Sequence, residues 1–363
     1  MSKRGKIYIV SPIFCRGGSG AAIYYKILAD SLQSNGFDVT IITDKEKCKS
    51  KLKVIKLFPV RSSRKKNLLS YFYYFIQNLT YLRLPFILFK GRPSVVIVHS
   101  SFFNYPGIFY PIMRLITHTF RKIKFVGDVR DRGLCKKRIY QLDIFNSIVA
   151  CSKNVENHLL HYHKLKPKVH HIPIIQEDLL SYYSDSSVIF GHDLRKIEYI
   201  LYAGLINESK KVDILLDSFV NYISLKNKNI KFILCGIVKT DNKQVVNNLK
   251  DKGVIFLGNV DRDNVLKLMR YSSLCINISP IEGLPRSSLE PIAMGKPVIL
   301  PPFVPEFKKM CPSCVLDSSN YREIGQKILS SLGNEEKCDY PIEKHSIDSI
   351  LPKYMHILNS KVE

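Results

Sequence analysis

Apolar positions along the chain follow two spacings. KIYIVSP, DVTIIT, SVVIVHS, KIKFVGD and SIVACS are near-continuous apolar runs rich in Val and Ile. Strands buried on both faces look like this. Between them lie longer periodic segments such as AAIYYKILADSLQSNG, which reads as a helix stopped at Gly36. Strand–helix alternation predicts parallel sheets with right-handed crossovers. The pattern breaks at IPIIQEDLLSYYSDSSVIFGHDLRK, residues 172–196, a polar and irregular stretch that reads as an interdomain connection. It restarts with IEYILYAG, KFILCGI, VIFLGNV, SLCINIS and KPVILPP as strands, and KKVDILLDSFVNYI and DNVLKLMRYSS as helices. The expected organisation is two doubly wound α/β domains, residues 1–176 and 177–342, with a closing helical segment at 343–363. A length of 363 residues suits two domains.

Charge separates the halves. Residues 1–176 hold 31 Lys and Arg against 8 Asp and Glu, and residues 177–363 hold 24 against 23. No acid occurs between Glu46 and Asp128. Such asymmetry implies an anionic partner for the first half: nucleic acid, a phospholipid surface or an acidic substrate. No RNA- or DNA-binding motif is present, which disfavours nucleic acid. The segment LLSYFYYFIQNLTYLRLPFILF, residues 68–89, has the length of a membrane span but is interrupted by Gln77, Asn78, Thr80, Arg83 and Pro85. It reads as a buried crossover helix, or as a membrane-surface helix behind the basic run RSSRKK. MSKRGKIYIV runs from basic residues directly into a strand pattern, unlike a signal peptide. Nine scattered cysteines suit a reducing compartment better than a disulfide framework. The pair Cys311 and Cys314 has no second CxxC near it and reads as loop cysteines.

Three stretches carry candidate chemistry. In SPIFCRGGSGAAIYYKILA a strand ends, a turn with Gly17, Gly18 and Gly20 follows, and a helix begins, presenting N–H groups to an anion. It is neither GxGxxG nor a Walker loop. In YAGLINESKKVDILLDSF the same order recurs, with Lys210 and Lys211 entering the helix. They suit a diphosphate or are an ordinary solvated pair. In IEGLPRSSLEPIAMGKPVIL, Glu282 and Glu290 lie eight apart around a helix start. Ser287 to Glu290 fits the capping box S-x-x-E, in which Glu290 has no ligand. Alternatively the two carboxylates accept sugar hydroxyls while the EGLP amides face a phosphate, a combination suited to a sugar nucleotide.

In this order and spacing, the three stretches resemble the retaining family-four glycosyltransferases of the GT-B fold. GGSGAA resembles their glycine-rich loop, YAGLINESKKVDILLDSF their GRLxxxKGxDxLLxAF segment, FLGNV the loop beside their nucleobase pocket, and EGLPRSSLEPIAMGKPVI their Glu-x(7)-Glu signature. The resemblance implies two Rossmann-like domains facing across a cleft, the acceptor held mainly by the first. The closing helix would cross back to the first domain. The resemblance implies hexosyl transfer from a nucleotide-sugar to a glycan or lipid-linked acceptor in cell-surface polysaccharide synthesis, with no metal or other cofactor. Glu290 would bind the donor ribose, and Glu282 the transferred sugar near its anomeric carbon. Lys210 would neutralise the diphosphate, with Gly18 and Ser19 closing over it. Gly283, Leu284 and Pro285 would line the sugar and phosphate pocket. The expected setting is cytoplasmic, or peripheral on the inner face of the plasma membrane.

Three positions depart from the family pattern. Leu205 stands where the family has a diphosphate arginine, a role open to Arg286 or Arg16. Lys211 stands where it has glycine. Gly127 in FVGDVRDRG stands where it often has histidine. His99, Asp128 and Arg130 are acceptor-side candidates at strand ends. A buried Asp–Arg pair is the alternative for Asp128 and Arg130. Two rival functions stay open: a sugar-nucleotide epimerase and a non-catalytic subunit of the same fold.

Overall fold

The computed structural model describes residues 4–12, 14, 20–43, 51–57, 82–100, 109–130, 139–161, 165–179, 187–189, 192–238, 249–280, 282–332 and 338–360. They form two compact units, residues 1–175 with 347–363, and residues 176–346.

The first unit is built on seven parallel strands: β1 (Lys6–Val10), β2 (Asp38–Thr43), β3 (Lys53–Lys56), β4 (Val95–His99), β5 (Lys124–Val129), β6 (Ser147–Ala150) and β7 (Lys168–His171). Their order is β3-β2-β1-β4-β5-β6-β7, so the winding reverses between β1 and β4. The central strands are the apolar runs of the sequence, and β4 and β5 are buried along their whole length. Sequence reading passes over β3 and β7. Both are short edge strands, half exposed and bearing Lys and His, so they lack the two-sided apolar pattern. Helices α1 (Gly20–Ser34), α2 (Arg83–Gly91), α3 (Phe109–Thr119) and α4 (Lys153–Leu160) connect them. Gly36 ends α1 as expected, at φ +88°, a left-handed conformation that glycine adopts without penalty.

The second unit carries five parallel strands: β10 (Tyr199–Ala203), β11 (Lys231–Cys235), β12 (Val254–Gly258), β13 (Leu274–Ile276) and β14 (Val298–Ile299). A small hairpin of β8 (Val188–Ile189) and β9 (His192–Asp193) precedes them. The order is β12-β11-β10-β13-β14, with the reversal between β10 and β13. Helix α5 (Val212–Ser218) continues through a π-turn at Phe219–Ile223. The π-turn keeps Phe219, Val220 and Ile223 in the core, with Phe219 against Phe232 at 5.4 Å. Burying each such side chain contributes roughly 1.5–3 kcal/mol. Helices α6 (Arg262–Tyr271), α7 (Arg286–Ala293), α8 (Pro305–Met310) and α9 (Tyr321–Leu332) follow. Cys311 forms a disulfide with Cys338, which corrects its reading as a lone loop cysteine; Cys151, Cys235, Cys275 and Cys314 are free and buried.

The closing helix α10 (Ile347–Asn359) belongs to the first unit and packs on α1. Buried Lys124, at the start of β5, donates from Nζ to the Ile357 carbonyl at 2.5 Å and the Ser360 carbonyl at 2.9 Å. A cation there also suits the negative end of the helix dipole. Among the described residues no helix is long and apolar enough to cross a membrane.

Candidate functional site

In an open parallel sheet, ligands bind beyond the carboxyl ends of the strands, where the winding reverses. In the second unit that point lies between β10 and β13. β10 leads into Gly204, Leu205 and a single turn at Glu208–Lys210, while β13 leads through Asn277 and Ser279 to Glu282 and α7. Asn207 caps the turn by accepting from the Lys210 amide at 3.1 Å. Lys210 and Lys211 therefore precede the helix, which starts at Val212, rather than entering it as expected. Lys210 Nζ donates to Glu282 Oε1 at 2.5 Å, so the two candidate residues meet although 72 positions apart. Each side chain keeps about a fifth of its surface exposed, 23% and 21%.

Buried Asn277 holds the turn between β13 and α7. Its Oδ1 accepts from the Ser279 amide at 2.9 Å, and its Nδ2 donates to Ser287 Oγ at 3.1 Å. Gly283, Leu284 and Pro285 are buried, and Pro285 occupies the cap position of α7 with no side-chain cap bond. The capping box that stood as the alternative for Ser287 and Glu290 does not form, because the helix starts earlier, at Arg286. Glu290, 3% exposed, instead accepts on Oε1 from Arg286 Nε at 3.0 Å, and Arg262 Nη1 lies 2.7 Å from the same oxygen. Glu177 Oε2 takes the other ends of both guanidiniums, Arg262 Nη2 at 2.9 Å and Arg286 Nη2 at 3.4 Å. Burial works against the Arg262 charge, but Glu290 and Glu177 outweigh it and raise its pKa. For Arg286 burial prevails, aided by Arg262, and the pKa falls below its usual value.

In the first unit the sheet reverses between β1 and β4, and a second polar cluster sits at the strand ends. Asp128 is fully buried. Its Oδ2 accepts from Arg130 Nη2 at 2.8 Å, Arg130 Nε at 3.0 Å and the Tyr25 hydroxyl. The Arg130 guanidinium stacks 3.3 Å from the Tyr24 ring centre, and the Tyr24 and Tyr354 hydroxyls bond to each other. Burial opposes the Arg130 charge, yet Asp128 and the tyrosines hold its pKa well above the ordinary value. His99 packs edge-on against Tyr25 at 5.4 Å. Burial, with help from Arg130, holds its pKa down to about 3, so the ring is neutral at neutral pH. Asp128 Oδ1 and Arg130 Nη1 are buried without a hydrogen-bond partner among the described residues. Gly18 and Ser19 lie outside the described residues, as do RSSRKK and residues 68–81.

Two family models match the chain, one described as "Glycosyltransferase Family 4" over residues 18–174 and one as "Glycosyl transferases group 1" over residues 197–334. The chain belongs to the family-four glycosyltransferases. Solved structures share its GT-B fold. Sucrose-phosphate synthase from Thermosynechococcus elongatus is 12% identical, with 98% of each chain covered and a TM-score of 0.72. A glycosyltransferase from Rickettsia africae is 19% identical, over 99% of this chain and 100% of that one, with a TM-score of 0.69. Anabaena HepE in complex with UDP and glucose is 12% identical, over 98% and 99%, with a TM-score of 0.72. No curated protein matches by sequence.

The structure of this glycosyltransferase accounts for two of its departures. Lys211 adopts φ +55°, the left-handed region, which is why glycine is usual there. A Cβ on Gly127 would lie 2.6 Å from the Phe145 ring, so a histidine does not fit where this glycosyltransferase has filled the space with Phe145. Among its described residues, no group of three or more His, Cys, Asp or Glu is placed to hold a metal ion. Sequence reading missed Glu177, Arg262, Tyr24, Tyr25 and Tyr354. One signal was available. Arg262 opens a helix, where the dipole disfavours a cation, so its position calls for a nearby acid.

Proposed function

We propose that this glycosyltransferase moves a hexosyl group from a nucleotide-sugar to a glycan or lipid-linked acceptor, with retention at the anomeric carbon, in cell-surface polysaccharide synthesis. The observation that carries the reading is the meeting of Lys210 and Glu282 where the second sheet reverses. A cation and a carboxylate side by side suit a ligand that is anionic at one end and hydroxylated at the other. Lys210 exchanges Glu282 for the donor diphosphate, and Glu282 then accepts from hydroxyls of the transferred sugar. Gly283, Leu284 and Pro285 line that pocket. Glu290 takes the donor ribose on Oε2, since the bonds to Arg262 and Arg286 fall on Oε1. With Leu205 offering no charge and Arg286 committed to Glu290 and Glu177, Lys210 is the main diphosphate cation. His99, Asp128 and Arg130 are assigned to the acceptor side, where they act as a buried network at the strand ends rather than as exposed ligand contacts.

The acceptor attacks from the face the diphosphate leaves, and a departing phosphate oxygen takes its proton. The protein supplies orientation and charge stabilisation, and no metal ligand set is assigned. Incubation with a panel of nucleotide-sugars and a lipid extract tests this reading. Release of nucleoside diphosphate coupled to a product of unchanged anomeric configuration supports it. An altered donor sugar indicates an epimerase, and binding without release a non-catalytic subunit.

The first unit meets a cytoplasmic anionic membrane surface in this reading. Helix α2 buries Leu84 and Leu88 but exposes Phe86 and Phe89, at 70% and 63%, on the same stripe as Leu82. Arg83, Lys90 and Arg92 are exposed beside them, with no acid near in sequence. Each basic residue near anionic lipid contributes about 1 kcal/mol. Flotation with anionic and neutral vesicles decides the point. Salt-sensitive binding to anionic vesicles, lost in Phe86→Ser/Phe89→Ser, supports it. Indifference to anionic vesicles at low salt assigns the charge to an acidic acceptor instead.

A further inference from the structure

Four groups from three parts of the second unit form a ring of alternating sign: Glu290, Arg262, Glu177 and Arg286. Arg286 and Glu290 share α7 at a spacing of four, an ordinary helical pairing. The contribution of Arg262 is less ordinary. It comes from α6, begins that helix against its dipole, and reaches Glu290 Oε1 at 2.7 Å. Glu177 lies in the stretch that leads into the second unit, and offsets the repulsion between the two guanidiniums by taking a nitrogen from each.

We infer that Arg262 and Glu177 are positioning residues that fix the plane of the Glu290 carboxylate, so that Oε1 is held and Oε2 is presented to a ribose hydroxyl. This rests on the reading of Glu290 as the ribose ligand. A carboxylate tied by one neighbour on its own helix can still turn about its last bond. A second guanidinium from another helix removes that freedom. The hydroxyl then meets an acceptor whose place is set before binding, and the ordering cost at binding falls. A site built to bond a hydroxyl discriminates against an analogue lacking it, because the buried acceptor is left unpaired. The ring is thus a device for preferring ribo- over deoxyribonucleotides.

The test measures dissociation constants of the full chain for uridine, adenosine and guanosine diphosphates, their 2′-deoxy and 3′-deoxy forms, and inorganic pyrophosphate. The wild type is expected to bind one ribonucleotide at least tenfold more tightly than one of its deoxy forms. Arg262→Gln should weaken that ribonucleotide about tenfold, shrink the ribo-to-deoxy ratio towards one, and leave pyrophosphate binding as it was. Arg262→Lys should recover part of the ratio, and Glu177→Gln should shift it less, in the same direction. An unchanged ratio in Arg262→Gln overturns the inference and leaves the donor reading standing. A parallel loss of pyrophosphate binding in Arg262→Gln and Glu177→Gln also overturns it, since the ring then only supports the fold. A wild type that binds none of the nucleotides overturns the donor reading, and the inference with it.

Discussion

Replacing His99 with asparagine removes one titrating ring from the interior of the first unit and leaves a polar group in its place. In the folded protein burial, with the Arg130 guanidinium adding to it, holds His99 at about 3, against 6.5 for the unfolded chain. The folded pKa is depressed, so the stabilisation is fully present above pH 6.5. It is lost as pH falls from there towards 3, because the unfolded chain takes a proton that the native state refuses. At pH 5 the difference is about 1.5 units below the unfolded value, which costs the wild type about 2 kcal/mol relative to pH 7.5. The chain has no Trp and 20 Tyr, so urea unfolding can be followed by tyrosine fluorescence at pH 7.5, 6 and 5. His171, held down to about 4, titrates in both proteins and cancels in the comparison. The variant should be less sensitive to acid by about 2 kcal/mol over this window. A stability difference between wild type and variant that stays constant from pH 7.5 to 5 refutes the reasoning, and shows that His99 is protonated in place or reached by water.

Lys210→Ala should lower turnover by roughly 10²-fold or more, the scale for losing a preorganised electrostatic group, measured as nucleoside diphosphate release; near-normal turnover would assign the diphosphate to another cation. Glu290→Gln should weaken donor affinity well beyond any fall in melting temperature, read by calorimetry beside thermal unfolding, and an unchanged affinity would leave Glu290 a purely structural ion pair. Lys211→Gly relieves a left-handed backbone at the expense of a bond from Lys211 Nζ to Ser319 Oγ. It should raise stability by about 0.5–1 kcal/mol, and a fall on urea unfolding would mean the exposed bond outweighs the strain.

The sequence displays what is local and periodic. β1, β4, β5, β10 and β11 carry near-continuous apolar runs and were readable one by one, as was the restart of the pattern in a second α/β unit. The edge strands β3 and β7 were not, because an edge needs no apolar face on its open side. Glu282 and Lys210 stand out in the sequence through their motifs, and the structure adds that they touch. The partners of Glu290 were hidden for a different reason. Ser287 and Glu290 have the spacing of a cap, and only the placement of Pro285 at the start of α7, with Arg262 approaching from α6, shows that the carboxylate is engaged elsewhere. Tyr354 is more than 200 residues from Arg130 in sequence, so no window of reading joins them.

The attachment of α10 to the first unit bears on how the chain is made. Residues 176–346 are continuous and can fold as they leave the ribosome. The first unit cannot finish until α10 has emerged, because Lys124 and Tyr24 find their partners there. For the time it takes to synthesise the intervening stretch, a nascent first unit carries a buried lysine without its carbonyls and an uncovered α1. The earliest part of the polypeptide is therefore the last to mature. Premature termination just after residue 346 leaves a complete second unit attached to an unfinished first one, a species that quality control would meet as a client for degradation.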